Sequence, residues 1–526
     1  MLETRYIFVI GGVLSGIGKG IVTSSIAKMF QKRNYKVTVV KIDPYINIDA
    51  GTMRPTEHGE VWVTDDGGEI DEDFGHYERF LDINLSKKNN ITTGQIYFQV
   101  IKNERAGKYL GKTVQFIPHI PEETERRIKE CAKGYDICIV EIGGTIGDYE
   151  NIPFIFAAKS ISLKNRSVFL LLSYFPKPPH LGEVKSKPTQ HAIKELRQLG
   201  IHPDYIIARA EEEIDEIRKQ KIAISSNIDS SRIISDPDID TIYRIPLVFE
   251  KQDFCKKLCK NLDLEYRDVD WSEWEKLLES PKKQVNIAMI CKYIDIGNSK
   301  LPDSYVSVNE ALKNAGRYIG VNVNIDWIDA KDLKNLSKYD GILVPGGFGI
   351  SGIEGKINAI KYARENNKPF LGLCLGMQLA VVEFARNVCK LESANSTEID
   401  PDTKYPVVDI LPEQKEIIKN SKYGATMRLG GQFVYIKSNT KAWNIYGKNK
   451  IKERFRHRYE INPDYTKILE EKGIIFSGYT KDKRIMQILE LKNHKFFIAV
   501  QFHPEFTSRF ENPNPLFLGF VKACCP

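Results

Sequence analysis

Seven short apolar runs, set among helix-like stretches, constrain this chain more than any other feature. They are YIFVI (6–10), VTVVKI (37–42), ICIVEI (137–142), SVFLLLS (167–173), VNIAMI (285–290), GILVPGG (341–347) and FLGLC (370–374). All are rich in Val, Ile or Leu and apolar on both faces, which suits strands of a parallel sheet covered on both sides. The predicted fold class is therefore α/β, as two doubly wound parallel-sheet domains. A length of 526 residues also exceeds one domain of ~100–200. The stretch RDVDWSEWEKLLESPKKQ (267–284) reads as the seam, because a new strand starts after its Ser-Pro-Lys-Lys. It predicts a first domain at 1–266, a linker at 267–284 and a second domain at 285–526.

Composition excludes several classes. Apolar residues make up 42% of the chain, enough to fill large cores and to rule out a mainly disordered protein. The balance of 76 basic and 69 acidic residues gives +7, which suits phosphate-bearing ligands but not a dedicated nucleic-acid binder. Nine cysteines are too sparse for a disulfide scaffold. No apolar run reaches the ~18–20 residues of a membrane span. MLETRYIFVIGG runs into a strand with no signal-peptide layout, so a cytoplasmic location is expected.

The first run leads into Gly11 to Gly20 (GGVLSGIGKG) and a helical stretch, Ile21 to Gln31. Strand, glycine-rich turn, lysine and helix form a phosphate loop: backbone N–H groups turn inward and the helix N-terminus adds positive charge. Lys19 is placed to reach the outer phosphates. The loop is one residue longer than the standard spacing, and Gly20 stands where a Ser or Thr usually binds Mg²⁺. The metal therefore needs other ligands. Glu141, at the end of a strand and before Gly143-Gly144-Thr145, is one candidate. The acidic run Asp65 to Asp73 offers more oxygen ligands, although by itself it reads as a solvated loop. GEVKSKPTQH (182–191) carries two lysines, two hydroxyls and an amide before a helical stretch. It is either a second anion site or a basic surface turn. Two phosphate sites would imply transfer between two nucleotides.

The second half carries a thiol chemistry. In FLGLCLGMQ, Cys374 stands between a buried strand and a helix, with Gly372 and Gly376 leaving room for a strained turn. A helix N-terminus lowers a thiol's pKa. AVQFHPE ends in His503 and Glu505, a base and an orienting acid. The glycines after strand 341–344 (PGGFG) and the N–H of Leu375 supply an oxyanion hole. The four parts together point to acyl transfer through a thioester. Cys255 and Cys259 read as packing, and Cys524 and Cys525 receive no role.

These stretches make the family recognisable. The chain resembles the CTP synthase family over nearly its whole length, through YIFVIGGVLSGIGKG, KIDPYINIDAGTMRPTEHGEV, DFGHYERF, NNITTGQIY, VEIGGTIGDYENIPF, GEVKSKPTQH, VPGGFGISGIEG, LGLCLGMQ, LESANSTE, FRHRYEIN and AVQFHPEF. The resemblance implies an N-terminal amidoligase domain and a C-terminal class I glutamine amidotransferase domain. ATP would phosphorylate O4 of UTP, glutamine would be hydrolysed, and ammonia passing internally would displace phosphate to give CTP. Carried over to this chain, Ser15, Gly16, Ile17, Gly18, Lys19, Gly20, Lys41 and Asp73 bind ATP, and Asp73 and Glu141 bind Mg²⁺. Ser15, Lys185, Ser186, Lys187, Pro188, Thr189, Gln190 and Lys221 match the UTP positions. Asp148, Tyr149 and Glu150 match the site of inhibitory CTP. Cys374, His503 and Glu505 are nucleophile, base and orienter. Gly347, Leu375, Gly376, Met377, Gln378, Glu398 and Arg458 bind glutamine, with Gly347 at the oxyanion and Glu398 and Arg458 facing the amino acid's charges. GTP activation, CTP feedback and a homotetramer with a UTP site shared across subunits are also implied, as are filaments.

The chain departs from that pattern in places. Ser186 replaces a usual Thr, and SYFPKPPHL (173–181), which bears on CTP feedback, differs from the bacterial form. The segment 291–306 carries an insertion, and Val306 stands where a lysine is linked to GTP activation, while Arg428 is retained. Competing readings are another ATP-activating amidotransferase with a different acceptor, a nucleotide-sensing assembly protein, and a ParA-like ATPase module that would leave the thiol idle.

Overall fold

The apolar runs resolve into two sheets. The computed structural model describes residues 3–525 apart from 54–58, 179, 181–183, 280, 282, 293–294, 297–298, 301–304, 334, 348–350 and 411–426. Gly182 and Glu183 of the basic segment, Phe348 and Gly349 of the glycine turn, and half of the segment 291–306 thus lie outside the described residues.

The chain forms two compact units, Met1–Ala50 with Asp73–Glu273, and Gly51–Glu72 with Trp274–Pro526. This differs from the predicted partition in two ways. Residues 51–72, read as part of the first domain, fold with the second unit. The second unit also begins inside the predicted linker, where helix Ser272–Leu277 buries Trp274 against Phe510, with ring centroids 4.4 Å apart.

In the first unit seven strands lie in the order Asn90–Thr92, Val37–Asp43, Ile137–Ile142, Arg5–Gly12, Ser167–Tyr174, Tyr205–Ala210, Ile233–Pro237. Every pairing is parallel. Strands Val37–Asp43 and Ile137–Ile142 are buried along their whole length, as the two-faced apolar pattern requires. Parallel strands bring their C-terminal ends to one edge. The strand order turns around Arg5–Gly12, and such a reversal opens a crevice for ligands. The glycine loop leaves that strand and enters helix Lys19–Lys32.

The second unit holds a nine-stranded sheet. Strands Val321–Asp329, Lys283–Cys291, Gly341–Val344, Phe370–Leu373 and Phe497–Val500 pair in parallel. Met486–Leu491, Ile474–Tyr479, Arg428–Ile436 and Lys450–His457 extend it in antiparallel fashion. That extension was not predicted. Its outer strands mix buried and exposed positions, so they lack the apolar run that marks a strand covered on both faces.

Candidate active sites

Strand register builds the first site. Lys41 and Glu141 are direct partners in the parallel ladder. The Lys41 ammonium lies 2.7 Å from Glu141 Oε1 and also binds Asp73 Oδ2, at the start of helix Asp73–Leu81. Tyr77, on the same helix, donates to the other Glu141 oxygen. Burial opposes the charge on Lys41, yet Asp73 and Glu141 outweigh it and raise its pKa well above the ordinary lysine value. Lys19, only 8% exposed, donates to the Gly144 carbonyl at 3.0 Å. Desolvation lowers its pKa, partly opposed by Glu141.

Two glycines explain the unusual loop. A Cβ on Gly20 would lie 2.3 Å from Asp73 Oδ1, so the position that ordinarily holds Ser or Thr must be bare to admit this carboxylate. A Cβ on Gly11 would lie 2.8 Å from the Lys19 ammonium. Gly16 and Gly18 have φ of 71° and 92°, in the left-handed region that favours glycine. Among the described residues no group of three or more His, Cys, Asp or Glu is arranged to hold a metal. Asp73 and Glu141 nevertheless reach one common cation, the Lys41 ammonium, and two hard carboxylates are a donor set that would suit Mg²⁺.

Beside the loop lies a cavity that sequence reasoning missed. Leu14, Ile17, Ile21, Tyr174, Ile239, Ile242 and Ile245 give it apolar walls, and Arg209, Asp236 and Asp238 add charge. Asp236 is 3% exposed, its Oδ1 is buried without a hydrogen-bond partner among the described residues, and burial pushes its pKa up to about 7. Its only sequence signal is SDPD after an apolar run, which resembles any strand-ending turn.

Of the predicted nucleotide residues, Gly16, Ile17 and Gly18 line that cavity, whereas Ser15, Asp148, Tyr149, Glu150, Lys185 to Gln190 and Lys221 do not. Ser15 and Gly16 are exposed on the loop. Asp148, Tyr149 and Glu150 are exposed on the turn after Ile137–Ile142, where Asp148 accepts from the Thr145 N–H at 2.9 Å. Ser186 precedes helix Lys187–Gln198, with Pro188 in its first turn. Lys185 and Pro188 are half-buried, Lys187 is exposed, and Gln190 donates to the Ser186 hydroxyl at 3.2 Å. Thr189 is fully buried and its hydroxyl pairs with Ser173 at 2.8 Å, so it braces the strand. Lys221 is exposed on helix Glu216–Ser226.

The second site is built on a strained turn. Cys374 has φ 50° and ψ −101° between strand Phe370–Leu373 and helix Leu375–Asn387. The flanking glycines are obligatory: a Cβ on Gly376 would lie 2.2 Å from the Val344 carbonyl, and one on Gly372 2.9 Å from Gly376. Glu505 Oε1 accepts from His503 Nδ1 at 2.7 Å. Nε2 of the same ring is buried and bonds no oxygen or nitrogen of the described residues. Desolvation opposes protonation of His503, but the charges of Glu505 and Cys374 outweigh it and push its pKa up to about 10. Gln501 approaches the thiol with its amide nitrogen at 3.7 Å, a neighbour the sequence reading did not single out.

Because the imidazole pKa is raised, its charged form supports the fold fully below 6.5, and that support is lost as pH rises through about 10. A charged imidazole beside the Cys374 sulfur is thus favoured at neutral pH. Glu505→Gln is expected to slow alkylation of Cys374 by iodoacetamide about tenfold near neutral pH and to shift fast alkylation to alkaline pH. An unchanged rate–pH profile would remove Glu505 from this role.

A cavity beside the thiol is lined by Gly347, Cys374, Leu375, Gln378, Glu398, His457, Arg458 and Tyr459. It gathers most of the predicted glutamine residues. Gly376 and Met377 are not among its lining. Gly376 packs on the Val344 carbonyl and Met377 is fully buried in the apolar core, so both shape the turn from behind. His457 and Tyr459 were not predicted; they flank Arg458 in FRHRYEIN.

The acidic run is not a solvated loop. Asp65 accepts from Lys452 and from Arg454, each at 2.7 Å, and Glu69 accepts from Arg456 at 2.8 Å. Residues Val61–Val63 and Glu69–Asp71 pair as an antiparallel hairpin. Asp73, the last acid, belongs to the other unit and its lysine site.

Comparison with known proteins covers almost the whole chain. The family model for the CTP synthase N-terminus matches residues 5–264, and that for class I glutamine amidotransferase matches 300–523. The CTP synthase of Pyrococcus furiosus is 51% identical over 532 residues, covering 99% of this chain and 98% of its own. That of Clostridium acetobutylicum is 48% identical over 538 residues, covering 100% and 99%. Among solved structures, the glutaminase domain of Trypanosoma brucei CTPS with bound acivicin is 36% identical. It covers 46% of this chain and 93% of its own, with a TM-score of 0.42.

Proposed function

The chain belongs to the CTP synthase family and aminates UTP to CTP with ATP and glutamine, and we propose that this chemistry is divided between the two sites as follows. One observation carries the division. Lys19, Lys41, Asp73 and Glu141 converge at one sheet edge, and Cys374, His503 and Glu505 converge at the strained turn of another sheet.

In the first unit, Lys19 and Lys41 hold the ATP phosphates, and the apolar cavity beside the glycine loop takes the base, with Asp236 and Arg209 as its polar readers. Asp73 and Glu141 hold Mg²⁺, which when bound neutralises phosphate charge. UTP O4 attacks the γ-phosphorus and ADP leaves. The product carries a phosphate at C4, a far better leaving group than the carbonyl oxygen. Ammonia then attacks C4 and expels phosphate. Ser15, Lys185, Ser186, Lys187 and Gln190 form the UTP site with Lys221, completed by a second subunit. Asp148, Tyr149 and Glu150 hold inhibitory CTP, and the 85% exposure of Tyr149 leaves its ring open for stacking.

In the second unit, the Cys374 thiolate attacks the glutamine amide carbon, while Gly347 and the Leu375 N–H face the oxyanion. His503 gives its proton to the departing ammonia, and water then hydrolyses the glutamyl thioester, regenerating the thiol. Glu398 and Arg458 face the amino and carboxylate groups of the substrate. Water-free release keeps ammonia unprotonated.

Further readings rest on this one. Phe98 and Ile101 on helix Thr93–Arg105, with Leu110 and Phe116 beyond it, are 50% or more exposed, an apolar surface suited to a homotetramer and, by extension, filaments. All nine cysteines are free, in keeping with a cytoplasmic location. No described helix is long and apolar enough to cross a membrane. Arg428 is engaged by Glu460 at 3.0 Å, and Val306 opens helix Val306–Ile319, so the GTP response is the property most open to change in this chain.

The decisive assay is CTP formation from UTP, ATP and Mg²⁺ with glutamine or ammonium, with and without GTP. CTP from both nitrogen sources is expected, with a weak GTP effect on the glutamine reaction. No CTP from either source, with glutaminase activity intact, would point to a different acceptor.

A further inference from the structure

Residues 51–72 come from the N-terminal half of the sequence but fold with the thiol-bearing unit. We propose that this excursion is a positioning element for the glutaminase reaction, holding His503 and Cys374 in their reactive arrangement. The inference rests on the reading of these two residues as base and nucleophile.

Three contacts carry it. Trp62 is fully buried, with its ring 5.0 Å from that of Phe506. Phe506 in turn stacks on the His503 imidazole at 5.1 Å and 16°. The second contact runs through Arg454, whose side chain is fully buried. Its guanidinium donates to Asp65 Oδ1 at 2.7 Å, to the Val63 carbonyl at 3.0 Å and to the Phe506 carbonyl at 3.2 Å. The carbonyl of the same Arg454 accepts the His503 N–H at 2.8 Å. The third contact is Glu69, which accepts from Arg456 Nε at 2.8 Å, while the Arg456 carbonyl faces the Cys374 thiol at 3.9 Å.

The physical need is specific. Glu505 holds His503 by one ring nitrogen, which still lets the ring plane tilt about that contact. Packing on its face restrains that tilt and with it the direction of Nε2. Phe506 supplies that face, and Trp62 stops Phe506 from receding. Arg454 and Arg456 stand two residues apart on strand Lys450–His457, so both side chains leave the same face of the strand, toward the hairpin. Lys452 continues the row to Asp65. The alternating cations and the acids of the excursion therefore register one on the other, and each arginine's backbone borders one partner of the catalytic pair. Misplacement of a reacting group by about 1 Å costs on the order of a hundredfold in rate.

The test uses the full chain with Trp62→Ala, Trp62→Phe and Glu69→Gln. Glutamate release from glutamine is measured as kcat and KM, beside CTP synthesis from ammonium and the rate of Cys374 alkylation by iodoacetamide. For Trp62→Ala and Glu69→Gln, kcat for glutamate release is expected to fall about 10- to 100-fold with KM nearly unchanged. Alkylation should slow in step, and ammonium-dependent synthesis should stay within about twofold of the parent. Trp62→Phe should recover most of the loss. If Trp62→Ala does not fold, Glu69→Gln, which keeps size and shape, decides. The proposal is overturned by normal glutamate release in both, whether or not CTP output falls, since the excursion would then serve ammonia delivery or nothing. A parallel fall in ammonium-dependent synthesis also overturns it, because the role would be general stability. Absence of glutaminase activity in the unmodified chain would instead sink the functional reading itself.

Discussion

Replacing Cys374 by alanine is expected to lower glutamine-dependent CTP synthesis by at least about a thousandfold while ammonium-dependent synthesis stays within about twofold. The asymmetry follows from the layout. Cys374 is 4% exposed at the head of helix Leu375–Asn387, and its neighbours are His503, Gln501 and the Arg456 carbonyl, none of them a nucleotide ligand. Removing the sulfur removes the covalent intermediate and leaves the phosphate site untouched. Alanine also fits the strained turn, since Cβ is already present. Glutamate release should vanish with the glutamine-dependent reaction. Loss of the ammonium-dependent reaction as well would mean that the thiol serves both half-reactions, against the proposed division.

Lys19→Met is expected to abolish both reactions, each by about a thousandfold or more, because without phosphorylated UTP neither nitrogen source has an electrophile. The substitution keeps an unbranched apolar stem of similar bulk, so the space that Gly11 leaves stays largely filled. What goes is the ammonium that donates to Gly144 and neighbours the Asp73–Lys41–Glu141 cluster. Glutamate release by Cys374 should persist. Both readouts come from one preparation, with thermal melting as the control for folding. Ammonium-dependent CTP synthesis at the parent rate would take Lys19 out of the phosphate role.

Much of both sites was legible from local signals. The strand before the glycine loop, the helix after it and the strand–Cys–helix turn are each encoded by contiguous residues, and apolar runs mark buried parallel strands wherever they occur. Motif spacing also placed Glu141 at a strand end beside the glycine loop, and the parallel register then made Lys41 its neighbour. Other features left no such trace. Met377 is apolar and sits within the motif, but the helix turns it into the core. Thr189 has the right chemistry for an anion, yet its hydroxyl meets Ser173. Asp236 looks like any turn acid until its burial beside the loop is seen.

The amino-acid sequence alone determined the two α/β units, the glycine loop and the thiol turn. Periodicity, glycine sterics and motif spacing act over a few residues and need no partner from elsewhere. Only the tertiary structure decided that residues 51–72 leave the unit they are written into, that Gly20 is bare to admit Asp73, and that the acidic run is an ion-paired hairpin. Those outcomes depend on groups far apart in the chain: Asp65 meets an arginine 389 positions away. A run of acids reads as solvated until the fold places cations at matching intervals against it. That match is a property of packed strands, not of either segment by itself.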